Sequence, residues 1–378
     1  MKQTMQRTAK ILVGVLFVII LVACTRSPTG KVVQQEPITL AWIGPLTGSS
    51  ASLGIDNYHG VELAVKELNK NGGINGHGIH LVVEDDQMDP KLTVNAYQKV
   101  TTIDYADAIL SPSYSGLLSI VDKADRSKTV IVNSLDTSEE IAAGGEYLFG
   151  VGIYDEGIGQ TLAEFTYATL QQQNVAIIYN NEDAFMSLVK DAFTVRFEEL
   201  GGKIATAKAY TAETNDFRTM LLQIDSENIN TLVVLGYDEA GFILRQAQEM
   251  GLNFTILGTD TFTSKNFLRN AEGAEGAYFT SWHSESEAYQ QFLQRFTKQY
   301  GKAPEQPLFS AAGYDAVMVV AEAMRHGGTS GKALHDALYR VRELDGITGT
   351  LTMSPDGIVR SVREEMFQIH DGEPASVE

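Results

Sequence analysis

From Ile38 onward the chain alternates short apolar runs with segments of helical period. ITLAWIGPL (38–46) reads as a strand, and Val61, Ala64, Val65 and Leu68 then recur at i, i+3, i+4 and i+7, the apolar face of a helix. GIHLVVED (78–85) is the next strand, and Asp89-Pro90 opens a helix as an N-cap followed by proline at the first position. DAILSPS (107–113), a helix over 116–127 and TVIVNS (129–134) continue the rhythm. A second series follows a join near 150–155. It predicts helices at 158–172, 185–200, 216–226 and 239–250, and strands NVAIIYNN (174–181), KIATAKAY (203–210), INTLVVLGY (229–237) and FTILGT (254–259). Strands this continuously apolar belong to parallel sheets covered by helices on both faces. The fold class is therefore α/β, with two doubly wound lobes.

The last third does not repeat the pattern. GAYFTSW (276–282) is a strand, 288–301 and 308–327 are helices with a shorter one at 331–342, and GITGTLTM (346–353) and IVRSVREEMFQIH (358–370) are strands. These pieces are expected to return to the two lobes, so the chain crosses between them several times.

Before Ile38 the pattern changes. Lys2, Arg7 and Lys10 precede an apolar run, Ile11 to Ala23. That run is too short for a spanning helix of about 20 residues, and fits the core of a signal peptide. Leu21-Val22-Ala23-Cys24 resembles the bacterial lipoprotein box, which implies that Cys24 is acylated and becomes the new N-terminus. Cys24 is the only cysteine, so an internal disulfide and a cysteine-based zinc site are excluded. Residues 1–23 are read as signal peptide and 24–36 as anchor and polar tether, which places the body outside the cytoplasm, held to the membrane by lipid alone.

Composition narrows the partners. The 378 residues carry 29 Lys and Arg against 48 Asp and Glu, a net charge of −19. No basic stripe is available to displace phosphate counterions, so nucleic acid is excluded, and an anionic membrane surface would repel the body.

Motifs for catalysis are missing: there is no GxxxxGK[ST], HExxH or GxSxG. NGGINGHG (71–78) follows a helix and reads as a turn. His77 and His80 lack a third ligand, and of Asp85, Asp86 and Asp89 the last is better explained as a cap; no metal or cofactor is expected. What remains are polar loops at the C-terminal ends of strands, where open parallel sheets bind ligands. One lobe offers Ser111-Pro112-Ser113-Tyr114-Ser115 and Asn133-Ser134-Leu135-Asp136-Thr137, hydroxyls and N–H groups at helix starts that suit an anion. The other offers Gly236-Tyr237-Asp238 and Thr259-Asp260, a phenol and acids. A zwitterion spanning a cleft matches that polarity.

From Ile38 to its end the chain resembles the type I periplasmic binding proteins of the leucine/isoleucine/valine-binding class. The resemblance is carried by IGPLTGSSASLG (43–54), GVELAVKELNKNGGINGHGIHLVVEDDQMDP (60–90), NDFRTMLLQIDSENINTLVVLGY (215–237), ILRQAQEMGL (243–252) and SAAGYDAVMVVAEAM (310–324). It implies two Rossmann-like lobes joined by three crossovers, placed near 153–156, 281–284 and 343–347. Lobe 1 is then 37–154 plus 284–344, and lobe 2 is 155–283 plus 345–378. It implies no enzyme but a solute-binding protein that delivers an amino acid or related small polar solute to an ABC permease. A ligand-sensing module for a signalling receptor and an anchored hydrolase using Ser113 or Ser115 are the alternatives. The carboxylate-binding loop falls on Ser113, Tyr114 and Ser115, its companion on Leu135 and Thr137, the amine-facing tyrosine on Tyr237 and the ammonium partner on Asp260. The structural alternatives are that Tyr237 packs beneath its loop and Asp260 caps the next helix. Two positions depart from the family pattern: Leu53 and Ala184 stand where aromatic residues are usual. Trp42 and Trp282 are read as structural.

Overall fold

The computed structural model describes residues 36–377 except 49, 273, 283, 285 and 363. The signal segment, Cys24 and the tether up to residue 35 lie outside them. Among the described residues no helix is long and apolar enough to cross a membrane.

The first sheet takes β1 (Ile38–Gly44), β2 (Ile79–Asp85), β3 (Ala108–Ser111), β4 (Val130–Asn133), the two-residue β5 (Asp136–Thr137) and β6 (Leu148–Tyr154). The second takes β7 (Asn174–Asn180), β8 (Lys203–Tyr210), β9 (Thr231–Leu235), β10 (Thr255–Gly258) and β11 (Tyr278–Ser281). The C-terminal third adds β12 (Leu344–Asp345), β13 (Thr350–Leu351), β14 (Ile358–Arg360), β15 (Glu365–His370) and β16 (Glu373–Ser376). Strand order is β14-β6-β4-β3-β1-β2 in the first sheet, with β5 beside β6, and β16-β15-β11-β10-β9-β7-β8 in the second. All pairs are parallel except those made by β15 and β16 with their neighbours and the separate β12–β13 ladder. β3 and β4 are buried along their whole length, as strands covered on both faces must be.

Helices Ala51–Lys70 and Pro307–His326 pack on each other behind the first sheet. Their approach depends on glycine: a Cβ on Gly60 would lie 1.9 Å from the Ser310 carbonyl oxygen, and one on Gly313 would lie 2.4 Å from that of Asn57. Trp42, fully buried in β1, donates from Nε1 to Asn57 Oδ1 at 2.9 Å. Trp282 is half-buried, edge-on to Tyr289, and touches apolar cores of both lobes.

Several expectations for the C-terminal third are corrected. The segment 358–370 is two strands, not one: β14 joins β6 in the first sheet and β15 joins β11 in the second. The third crossover therefore lies between Arg360 and Glu365 rather than near 343–347, and residues 345–360 belong with lobe 1, not lobe 2. GITGTLTM makes only the short β12–β13 ladder, because Asp315 takes the N–H groups of Ile347 and Thr348, each at 2.8 Å, that a longer strand would have paired. The helix expected over 331–342 ends at Leu338.

Candidate ligand-binding site

At the end of β3 the chain turns through Pro112 and Ser113 into helix Tyr114–Ser127. Ser113, the N-cap, has extended backbone and makes no side-chain cap bond, so first-turn N–H groups remain for a ligand. Tyr114 and Ser115 line the cleft between the lobes. Ser113 does not: it is fully buried, beside Asp86. The Tyr114 hydroxyl meets Ser138 Oγ and Glu140 Oε2, both at 2.8 Å, which fixes the ring.

Beyond β4, Asn133 Oδ1 accepts from the N–H groups of Leu135 (3.0 Å) and Asp136 (2.9 Å), a local turn that aims both residues at the cleft. Asn57 anchors the same turn. Its Nδ2 donates to the carbonyls of Ser134 and Phe309, and its Oδ1 accepts from Ser134 Oγ and Trp42. One residue on, Thr137 faces away from the cleft, because β5 alternates. Its hydroxyl proton goes to the Ile153 carbonyl at 2.7 Å and is not available to a ligand carboxylate.

The opposite wall comes from the second lobe. Asp183 caps helix Ala184–Glu199 through Oδ1, which accepts from Met186 N–H at 2.9 Å, and presents Oδ2 to the Tyr237 hydroxyl at 3.5 Å. Asp260 follows β10 as the first residue of a short 3₁₀ turn, and its carboxyl lies against the backbone N–H groups of Thr261 and of Asp260 itself. Thr261, beside it, is held by its hydroxyl to the Gly236 carbonyl at 2.9 Å. Ala184 and Leu188 pack on the apolar core of the first lobe, so the lobes touch across the cleft.

Between the walls lies a small cavity. Ser115, Tyr114, Leu135, Tyr237 and Asp260 all line it; Ser113 and Thr137 do not. Its apolar surface comes from Leu53, Met88, Ile153, Phe185 and Phe309. Among the described residues three carboxylates line it, Asp136, Asp183 and Asp260, and no Lys, Arg or His does. Burial lifts the Asp260 carboxyl to about 6. Burial, with the charges of Asp260 and Asp183 added, lifts Asp136 to about 8, and the Asn133 amide beside it tempers that rise. Behind Asp136 sits Asp155, fully buried at the start of helix Asp155–Glu164, with neither carboxylate oxygen hydrogen-bonded. Its carboxyl is pushed far above the usual range by burial and by Asp136. Glu364, on the third crossover, has both oxygens unpartnered and is raised by burial and by Asp260.

A chain folded in two α/β lobes around such a cleft has clear relatives. The family model described as periplasmic binding protein matches residues 37–362. The chain belongs to the periplasmic binding protein family. Membership implies a solute-binding role outside the cytoplasm. Among its relatives, the Leu/Ile/Val-binding protein BraC3 of Rhizobium johnstonii is 26% identical over 349 residues, covering 90% of this chain and 94% of that one. The Leu/Ile/Val-binding protein of Escherichia coli K12 is 27% identical over 265 residues, 69% of this chain and 72% of its own. The crystal structure of the branched-chain amino acid transporter substrate binding protein LivJ from Streptococcus pneumoniae, in complex with isoleucine, has the same fold, with a TM-score of 0.81 at 24% identity over 91% of this chain and 99% of that one.

Of the two departures from the family pattern, one lies in the cavity. Leu53 lines it, apolar but not aromatic. Ala184 turns to the first lobe instead, and the next residue, Phe185, supplies an aromatic surface. Sequence reasoning passed over Phe185 and the acids Asp136, Asp155, Asp183 and Glu364. Asp136 stood inside a loop already singled out and Asp183 next to Ala184, where a charged residue beside a strand end was the available signal. Nothing local marks Asp155 or Glu364.

Proposed function

We propose that this protein captures an amino acid in the interlobe cleft and delivers it to an ABC importer. The observation that carries the reading is the placement of Asp260 and Tyr237 on one wall and the open first turn of helix Tyr114–Ser127 on the other, around one cavity. An ammonium matches Asp260, with the Tyr237 ring beside it. A carboxylate matches the first-turn N–H groups and the Ser115 hydroxyl, with the Leu135 backbone beside them. Lobe closure then follows from ligand contacts made to both walls at once, which favour the closed state only. Cys24 holds the protein to the outer face of its membrane through acyl chains, and Cys24→Ser abolishes fatty-acid labelling while leaving the fold intact.

Calorimetry with a panel of amino acids and their deaminated analogues tests the cleft. Asp260→Asn is expected to weaken amino acids at least tenfold, since a charge-assisted hydrogen bond contributes about 1.5–3 kcal/mol. Deaminated analogues lose little, and the melting temperature of the ligand-free protein does not fall. An Asp260→Asn protein that is destabilised yet binds amino acids as before would make the residue structural and the reading wrong.

A further inference from the structure

Resting on that reading, the geometry points to a ligand with a second cationic group: an α-amino acid bearing an amino or guanidino side chain, whose distal charge is received by Asp136 at the cavity wall, with Asp155 adding its charge from behind. Of the three acids that line the cavity, Asp183 is occupied by Met186 N–H and the Tyr237 hydroxyl, and Asp260 serves the α-ammonium. Asp136 remains, with only the Asn133 amide beside its carboxylate. Asp155 lies behind it with no hydrogen-bond partner on either oxygen, although its side chain is wholly removed from water. A buried acid without a donor is retained against a desolvation penalty, and a ligand cation is the natural partner for it.

A neutral amino acid cannot supply that partner, because its single ammonium is answered by its own carboxylate and by Asp260. Nor does the protein: among the described residues no Lys, Arg or His hydrogen-bonds either acid, and Arg360 is paired with Asp356 at 2.8 Å and lies over the Tyr154 ring. Among the described residues no group of three or more His, Cys, Asp or Glu converges as a metal site, so the acids form a wall rather than a cage. Met88 and Phe185 give that wall an apolar border against which the methylene stem of a long basic side chain packs while its charged head reaches the acids.

Calorimetry on the full chain decides it, with L-arginine, L-lysine and L-ornithine against L-leucine and L-glutamine, and with putrescine as a diamine lacking the carboxylate. The expected result is a basic amino acid at least tenfold tighter than leucine, and a preference ratio that collapses at least tenfold in both Asp136→Asn and Asp155→Asn. Leucine binding as tightly as any basic amino acid overturns this inference alone and leaves the amino-acid reading standing. A ratio unchanged in both variants, with circular dichroism showing them folded, also overturns it. Putrescine binding with no amino acid of either class bound overturns the amino-acid reading, and this inference with it.

Discussion

Two buried carboxyl regions of this protein invite comparison. At the junction of helix Pro307–His326 with the β12–β13 ladder, Asp315 is fully buried and accepts three hydrogen bonds, from Ile347 N–H, Thr348 N–H and the Thr348 hydroxyl. On the cleft wall, Asp155 is equally buried and accepts none. Burial raises the carboxyl in both places, to about 6 at Asp315 and further at Asp155, where Asp136 adds its charge. A raised carboxyl therefore does not tell a structural acid from one that awaits a ligand. The donors do.

The comparison is broken most directly at Asp315. Asp315→Ala leaves two buried N–H donors without an acceptor and the Thr348 hydroxyl with Ser361 alone, and is expected to destabilise the ligand-free protein by about 3 kcal/mol, read by urea unfolding. A loss no larger than that of a surface substitution would mean that the donors at Asp315 do not hold the ladder. Asp155→Asn should act in the opposite sense, raising ligand-free stability by about 1 kcal/mol because it removes an unpaired buried acid. If it destabilised the protein as Asp315→Ala does, the two regions would be alike after all.

Protonation sharpens the contrast. Asp56, Asp260 and Asp315 are raised to about 6 and Asp136 to about 8, whereas in the unfolded chain all titrate near 4. Between those limits the folded protein holds more protons than the unfolded one. Their contribution to stability is fully present below about pH 4 and is lost as pH rises through 6 toward 8. The melting temperature of the ligand-free protein should thus fall from pH 5 to pH 8, and fall less steeply in Asp155→Asn; a rise over that range would reverse the sign argued here. The smallest effect is a baseline at an exposed acid with its own donors. Asp89 accepts from Lys91 and Leu92 N–H at 2.7 and 3.4 Å, and Asp89→Ala should cost about 0.5 kcal/mol by urea unfolding.

How much of this was legible beforehand followed from the range of each rule. Asp89-Pro90 announced its helix, and KIATAKAY is β8 residue for residue, because capping and a short strand are local matters. The path of 358–370 was not legible. Val359 and Met366 both read as strand, and between them no glycine or proline marks the place where the chain leaves one sheet for the other. At the site, Ser115, Leu135, Tyr237 and Asp260 were named in advance and do surround one cavity, while Thr137 stands one residue out of phase, on the far face of a period-two strand. Asp155 and Glu364 escaped because their meaning lies in what does not surround them, and a missing donor leaves no trace in a linear sequence.

The chain has two tryptophans, and the fold gives them unequal positions. Trp42 is sealed inside the first sheet with its indole N–H bonded to Asn57, whereas Trp282 sits beside the second crossover, half in water and against both lobes. A rotation of one lobe on the other changes the solvent around Trp282 and leaves Trp42 as a constant background. Unlabelled protein thus carries its own optical gauge of closure, and a shift in emission colour on titration reports the hinge, far from any dye or added cysteine.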